Sequence, residues 1–332
     1  MITHHNAGPA KFGFVAALSL FLPMTTIATS GQLSSTGNQK TGQYQISVDV
    51  GLVVLPVIVT DRRGQSVSGL RASDFQVYED GHLRQITLFE PEDVPATIGL
   101  VVDNSGTMLA KRAEVVAAGL AFARSSNPRD QMFVVNFNRT VSMGLARGVP
   151  FTSDVQQLKA ALSRNAAAGN TALYDGIAVA LEHLKTGTRE RKALIVVSDG
   201  GDNASRLRLP ELMKRVEGLN VVIHTIGIFD PAYADENPGV LKRLAKMTGG
   251  NAYFPGSVSE VTATCQEVAR DIRHQYTLGY APAERSSNGK YHAIRVTARA
   301  KGKSGLRVHT RAGYLMSSQA ELAKPTEERL SR

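Results

Sequence analysis

The chain has 332 residues, 42 % of them apolar and 20 % charged, with a formal net charge of +9. That apolar share sets aside the weakly hydrophobic, highly charged class that stays disordered, and the length suits one large domain with an appendage, or two. The single cysteine, Cys265, excludes an intramolecular disulfide, and the basic balance permits an anionic partner without requiring one.

Residues 1–30 read as a signal peptide: Lys11 precedes the apolar stretch FGFVAALSLFLPMTTIA, which ends in small residues around Ala28 and Ser30. The stretch is short for a bilayer and is interrupted by Pro23, Thr25 and Thr26, so cleavage is expected rather than a retained anchor. An exported protein, periplasmic or secreted, is implied, with no membrane span after signal removal and no nucleic acid as routine partner. Residues 31–43, GQLSSTGNQKTGQ, have a linker composition.

Residues 44–93 read as a small antiparallel β module. ISVDVGLVVLPVIVTD is apolar and β-branched, RRGQ makes a turn, and FQVYEDGHLRQITLF alternates around Asp80-Gly81, a hairpin signal. Pro56 implies an edge or a bulge in the first strand.

Over residues 94–274 the pattern changes to strands alternating with helices, which predicts an α/β domain on a mostly parallel sheet. The strands are TIGLVVD, QMFVVNF, KALIVVSD and NVVIHTIGI; helices start near Thr107, Ser153, Thr171, Leu209 and Asn237, with a last one from Ser257 to about Arg273. Cys265 lies on that last helix in register with Val258, Val261, Val268 and Ile272, a core stripe.

Residues 275–316 revert to alternating strands around Tyr276, Leu278, Tyr280, Ile294, Val296 and Val308, and could pair with residues 44–93 as one sandwich. Arg295, Thr297 and Arg299 share the outward face, which suits a solvated strand and also permits an anionic envelope polymer. Residues 317–332 have the composition of a disordered tail.

In an open α/β sheet, ligands bind beyond the carboxyl ends of the strands. Three loops carry oxygen-rich side chains there: Asp103, Ser105 and Thr107 after GLVV, Thr171 in GNTALYDG, and Asp199 after LIVV in SDGGDN. Two carboxylates and three hydroxyls, with no His or Cys, form a hard oxygen set suited to Mg²⁺, Mn²⁺ or Ca²⁺ and poorly suited to zinc. Asp175 and Asp202 stand nearby as candidates for supporting those ligands. Taken singly, each residue serves equally well as a turn or cap.

Together the three loops resemble the metal-ion-dependent adhesion site of the von Willebrand factor type A (VWA) domain, whose pattern is Asp-x-Ser-x-Ser, a separate Thr and a separate Asp. Thr107 stands where the family usually has Ser and keeps the hydroxyl. The resemblance implies a Rossmann-like α/β fold over residues 94–274, and the flanks are similar to those of exported bacterial VWA-related proteins. It further implies that Ser105 and Thr107 ligate directly, and Asp103, Thr171 and Asp199 directly or through water. Such an ion completes its shell with an Asp or Glu from a protein partner, so binding rather than catalysis is expected.

Two other readings compete. A haloacid-dehalogenase-type phosphatase also places Asp-x-Asp-x-Thr after its first strand, but it needs a second carboxylate as general acid and base where this chain has Ser105. A scaffold whose site holds no metal is the other. No nucleophile elbow, Gly-rich phosphate loop or His-rich metal motif is present.

Overall fold

The computed structural model describes residues 51–164, 166–217, 219–229, 236–283 and 290–315. The expected signal, linker and tail lie outside the described residues, as does the start of the first strand before Gly51. Strands β1 (Val53–Thr60), β2 (Phe75–Glu79), β3 (His82–Arg84) and β4 (Ile86–Glu90) come first. Asp80 and Gly81 both take positive φ, 49° and 83°, the backbone that a two-residue hairpin between β2 and β3 requires.

The α/β section follows with β5 (Ala96–Asp103), α1 (Arg112–Ser125), β6 (Gln131–Phe137), β7 (Val141–Met143), α2 (Val155–Ser163) and α3 (Leu173–Lys185). It continues with β8 (Arg191–Ser198), α4 (Leu209–Glu217), β9 (Val222–Gly227), α5 (Pro238–Thr248), β10 (Ala252–Tyr253) and α6 (Val261–Arg273). The sheet order is β10-β9-β8-β5-β6-β7, parallel except for β7 against β6. Every residue of β5 and β9 is buried, as befits inner strands of a sheet covered on both faces, and the burial extends to Thr97, His224 and Thr225. Helices cover both faces: α1 packs on α2 and α6, and α4 packs on α3 and α5. Cys265 is buried on the inward side of α6, where loss of solvent pushes its thiol up to about 12.

Four helices, α1, α2, α3 and α6, start two or more residues later than the sequence predicts, and before α1 and α3 local backbone groups are used elsewhere. After Ser105 the chain makes a 3-10 turn, Gly106–Lys111, before α1. Asn104 N–H donates to Phe137 O and Gly106 N–H to Gly169 O, tying this turn to the neighbouring loops. At Thr171 the N–H donates to the Asn203 side chain, and α3 begins two residues on. Before α6 a 3-10 turn spans Val258–Glu260. The short edge strands β7 and β10 carry too few residues to show alternation.

The last strands are β11 (Tyr276–Tyr280), β12 (Tyr291–Ala298), β13 (Arg307–His309) and β14 (Gly313–Leu315). Strands from both ends of the described chain share two four-stranded sheets, β13-β1-β11-β4 and β14-β12-β2-β3. A separate apolar core containing Leu55, Val57, Phe75, Val77, Tyr276 and Leu278 lies with them. Pro56 is not on an edge strand, since β1 runs between β11 and β13; yet β13 joins only from Ile58, so at Pro56 the strand has one neighbour.

The two crossings between these sheets and the α/β section are pinned together. Arg273 pairs with Asp93 at 2.9 Å, and the Arg191 guanidinium donates to Pro91 O and, at 3.2 Å, to Thr277 Oγ1. Among the described residues, no helix is long and apolar enough to cross a membrane.

Candidate metal centre

Strand β5 lies between β6 and β8, the place where chain order reverses across the sheet and where a crevice opens at the carboxyl ends. Asp103 ends β5 and is 2 % exposed. Its Oδ1 accepts from Ser105 N–H at 2.8 Å and its Oδ2 from Ser198 Oγ at 2.6 Å. Thr107 Oγ1 donates to Asp199 Oδ2 at 2.7 Å and lies 3.1 Å from Ser105 Oγ. Asp103, Ser105, Thr107 and Asp199 therefore form one connected oxygen cluster.

Thr171 reaches this edge through its backbone. Ala168 N–H donates to Asn104 O, and Asn203 N–H and Ala204 N–H both donate to Thr171 O. Thr171 is buried between the first and third loops. Asp175 and Asp202 serve the third loop instead of joining the cluster. Asp175 accepts from Arg206 N–H and Leu207 N–H, both at 3.0 Å, and Asp202 accepts from Leu173 N–H at the start of α3. Burial raises the Asp202 carboxyl above its ordinary range.

The glycine after Asp199 is required by geometry. Gly200 has φ 81°, and a Cβ there would fall 2.3 Å from Asn237 O. That tight turn lets Gly201 N–H reach Asp199 Oδ1 at 3.0 Å.

Electrostatics leave the cluster short of positive charge. Burial, with the Asp199 charge adding to it, pushes the Asp103 carboxyl up to about 6 against the bonds from Ser198 and Ser105. The nearest cations in sequence are engaged elsewhere: Lys111 Nζ donates to Ile228 O at 3.0 Å, and Arg112 to the Asn104 side chain and Leu162 O. A divalent cation fits such a set, because the donors are all oxygens and no basic side chain hydrogen-bonds to either carboxylate among the described residues. The set is rich in hydroxyls; no group of three or more His, Cys, Asp or Glu placed to hold a metal occurs among the described residues.

Sequence reading overlooked Ser198, Asn104 and Lys111. Ser198 closes β8 and orients Asp103; Asn104 is buried and donates through Nδ2 to Asn136 Oδ1 at 3.0 Å, holding the first loop to β6. A polar residue ending an apolar strand was the available signal for Ser198. Nothing local marks Lys111 as buried.

Residues 98–201 match the family model of the von Willebrand factor type A domain. Among solved structures the chain is similar to a von Willebrand factor type A protein from Catenulispora acidiphila, with 14 % identity, TM-score 0.48, and coverage of 82 % of this chain and 75 % of that one. It is similar to the von Willebrand factor domain of the type V pilus tip protein of Porphyromonas gingivalis, with 14 % identity, TM-score 0.45, and coverage of 54 % and 95 %. It is also similar to the proximal thread matrix protein 1 of the mussel byssus, described with a zinc-occupied MIDAS motif, with 19 % identity, TM-score 0.45, and coverage of 53 % and 48 %. No curated protein matches.

Proposed function

Because the chain carries a von Willebrand factor type A domain at residues 98–201, we propose that it is a metal-dependent binding module for a protein partner offering an Asp or Glu. Asp103, Ser105, Thr107, Thr171 and Asp199 would hold the cation, Mg²⁺ or alternatively Mn²⁺ or Ca²⁺. The observation that carries this reading is the cluster of two carboxylates and two hydroxyls joined by hydrogen bonds at the carboxyl ends of β5 and β8.

The hydroxyl orientation supports coordination. Thr107 places its proton on Asp199, so Oγ1 keeps a lone pair for a cation even with Ser105 Oγ donating to it. Ser198 likewise fixes Oδ2 of Asp103 by donating to it, which orients the carboxylate. The bound ion would supply an electrophilic anchor for one carboxylate oxygen of the partner. With two carboxylates and three neutral hydroxyls as the protein's share of the set, the ion keeps a coordination position that an oxygen of an incoming acidic side chain can take. Hydrolysis finds no such support, because Ser105 offers no proton-transfer group where a phosphatase needs its second carboxylate. Export to the periplasm or the medium belongs to this proposal and rests on the Lys11-led apolar segment.

Isothermal titration with Mg²⁺, Mn²⁺, Ca²⁺ and Zn²⁺ tests the site. Saturable binding in the native protein and none in Asp103→Ala is the expected result; equal heats in both would overturn it. Capture of envelope or secreted proteins, run with and without chelator, tests the bridging step, and identical captured sets would exclude it.

A further inference from the structure

Two clefts meet where α5 stands opposite residues of β12 and β13, and neither is lined by a residue of the metal loops. The larger, about 480 Å³, is bordered by Lys242, Lys246, Arg295, His309 and Arg311 and has no carboxylate in its lining. The smaller, about 250 Å³, has a mainly apolar wall that includes Met213, Val216, Val221, Met247 and the half-exposed Tyr291, and Glu217 is its one acid. Lys246, Arg311 and Ala312 line both, so the charged space runs into the apolar one.

The junction is built around Arg311. Gly249, just past α5 at φ 81°, lies so close to the strand side that a Cβ there would fall 2.7 Å from Arg311 N. Arg311 donates through Nη2 to Val54 O at 2.6 Å and stands 6.0 Å from the centre of the Tyr314 ring, while its buried Nε has no hydrogen-bond partner. Lys242 lies over the Phe254 ring at 5.2 Å and Arg295 over Tyr78 at 4.3 Å. Among the described residues none of Lys242, Lys246, Arg295 and Arg311 pairs with a carboxylate. Two carbonyls in the last turn of α5, where the helix is partially negative, are capped: Gly249 N–H donates to Lys246 O at 3.4 Å and Gly250 N–H to Ala245 O at 3.0 Å.

Charge and shape together select the ligand. Four cations around one cleft call for a head with more than one negative charge, which a phosphate carries near neutral pH and a single carboxylate does not. The planar arginine fork and the lysine ammonium both suit phosphate oxygens. The apolar wall is gathered in its own cleft; an extended peptide, with successive residues about 3.3 Å apart, would interleave charged and apolar groups. A bare polyanion would leave that wall in water.

We propose that the joined clefts bind a lipid, its phosphate-bearing head among Lys242, Lys246, Arg295 and Arg311 and one hydrocarbon chain along Met213, Met247 and Tyr291.

Isothermal titration of the full chain with dodecyl phosphate tests this, below the concentration at which the probe forms micelles and in chelator to keep the metal loops out of the measurement. Saturable binding is expected. Inorganic phosphate and dodecyl maltoside, which each keep one half of the probe, should bind at least about tenfold more weakly. Lys242→Glu with Lys246→Glu, both exposed, should weaken dodecyl phosphate about tenfold, as should Tyr291→Glu on the apolar wall, each with an unchanged circular dichroism spectrum. No binding of dodecyl phosphate, equal binding of inorganic phosphate, dodecyl maltoside or an acidic peptide alternating Glu and Val, or unchanged affinity in either variant would each overturn the proposal.

Discussion

Ser198 Oγ donates to a carboxylate oxygen of Asp103, so removing it should loosen the cluster without deleting a ligand. Ser198→Ala is expected to weaken divalent-cation affinity by about tenfold or more, read by titration, with the fold intact by circular dichroism. Gly200→Ala acts differently, since its positive φ and the 2.3 Å approach of Asn237 O leave no room for a methyl group. A loss of more than about 1 kcal/mol in urea unfolding is expected; an unchanged midpoint would show that the turn can shift. The meeting of Asp103 and Asp199 was legible because Asp103 directly follows one apolar run and Asp199 follows another with only Ser198 between, which places both at strand ends. The side-chain roles of Ser198 and Asn104 were not, because each depends on what the neighbouring strand presents.

The loop before β6 carries a different electrostatic load. Asp130 is buried, accepts from Ala96 N–H at 2.7 Å and Asn127 N–H at 3.0 Å, and is nonetheless raised from 3.8 to about 6 by burial. A folded-state value above the unfolded one means that this group's stabilising contribution is complete below pH 3.8 and is lost as the pH rises through about 6. The loss amounts to at most about 3 kcal/mol. Asp130→Asn should therefore show a smaller fall in stability across that interval than the native chain, measured by chemical denaturation at a series of pH values, and equal slopes would refute the assignment. At this scale β6 matched its apolar run residue for residue. The starts of α1 and α3 did not, because backbone groups at Asn104, Gly106 and Thr171 are spent on contacts between loops that no local pattern encodes.

Strands β1, β2 and β4 lie next to β11 and β12 in both small sheets, although the α/β section separates them in sequence. Cleavage introduced between Pro91 and Pro95 should therefore leave the N-terminal piece attached in gel filtration and release it only in denaturant; release under native conditions would contradict this pairing. Alternation in residues 44–93 and 275–316 announced strands, but which strand pairs with which is decided by burial of the shared core around Tyr276 and Phe75.

The pinned neck at Asp93, Arg273 and Arg191 has a mechanical consequence. The segments that precede Val53 and follow Leu315 both leave from the small sheets, and β4 and β11, the strands on either side of the α/β section, are paired with each other. Tension between those outer segments is borne by the small sheets and bypasses the α/β section. Asp103 stands at the far end of β5 from the neck, roughly 25 Å away along the strand. A load applied at Asp103 instead enters along β5 and converges on the neck, where the Asp93–Arg273 pair and the Arg191 bonds resist it.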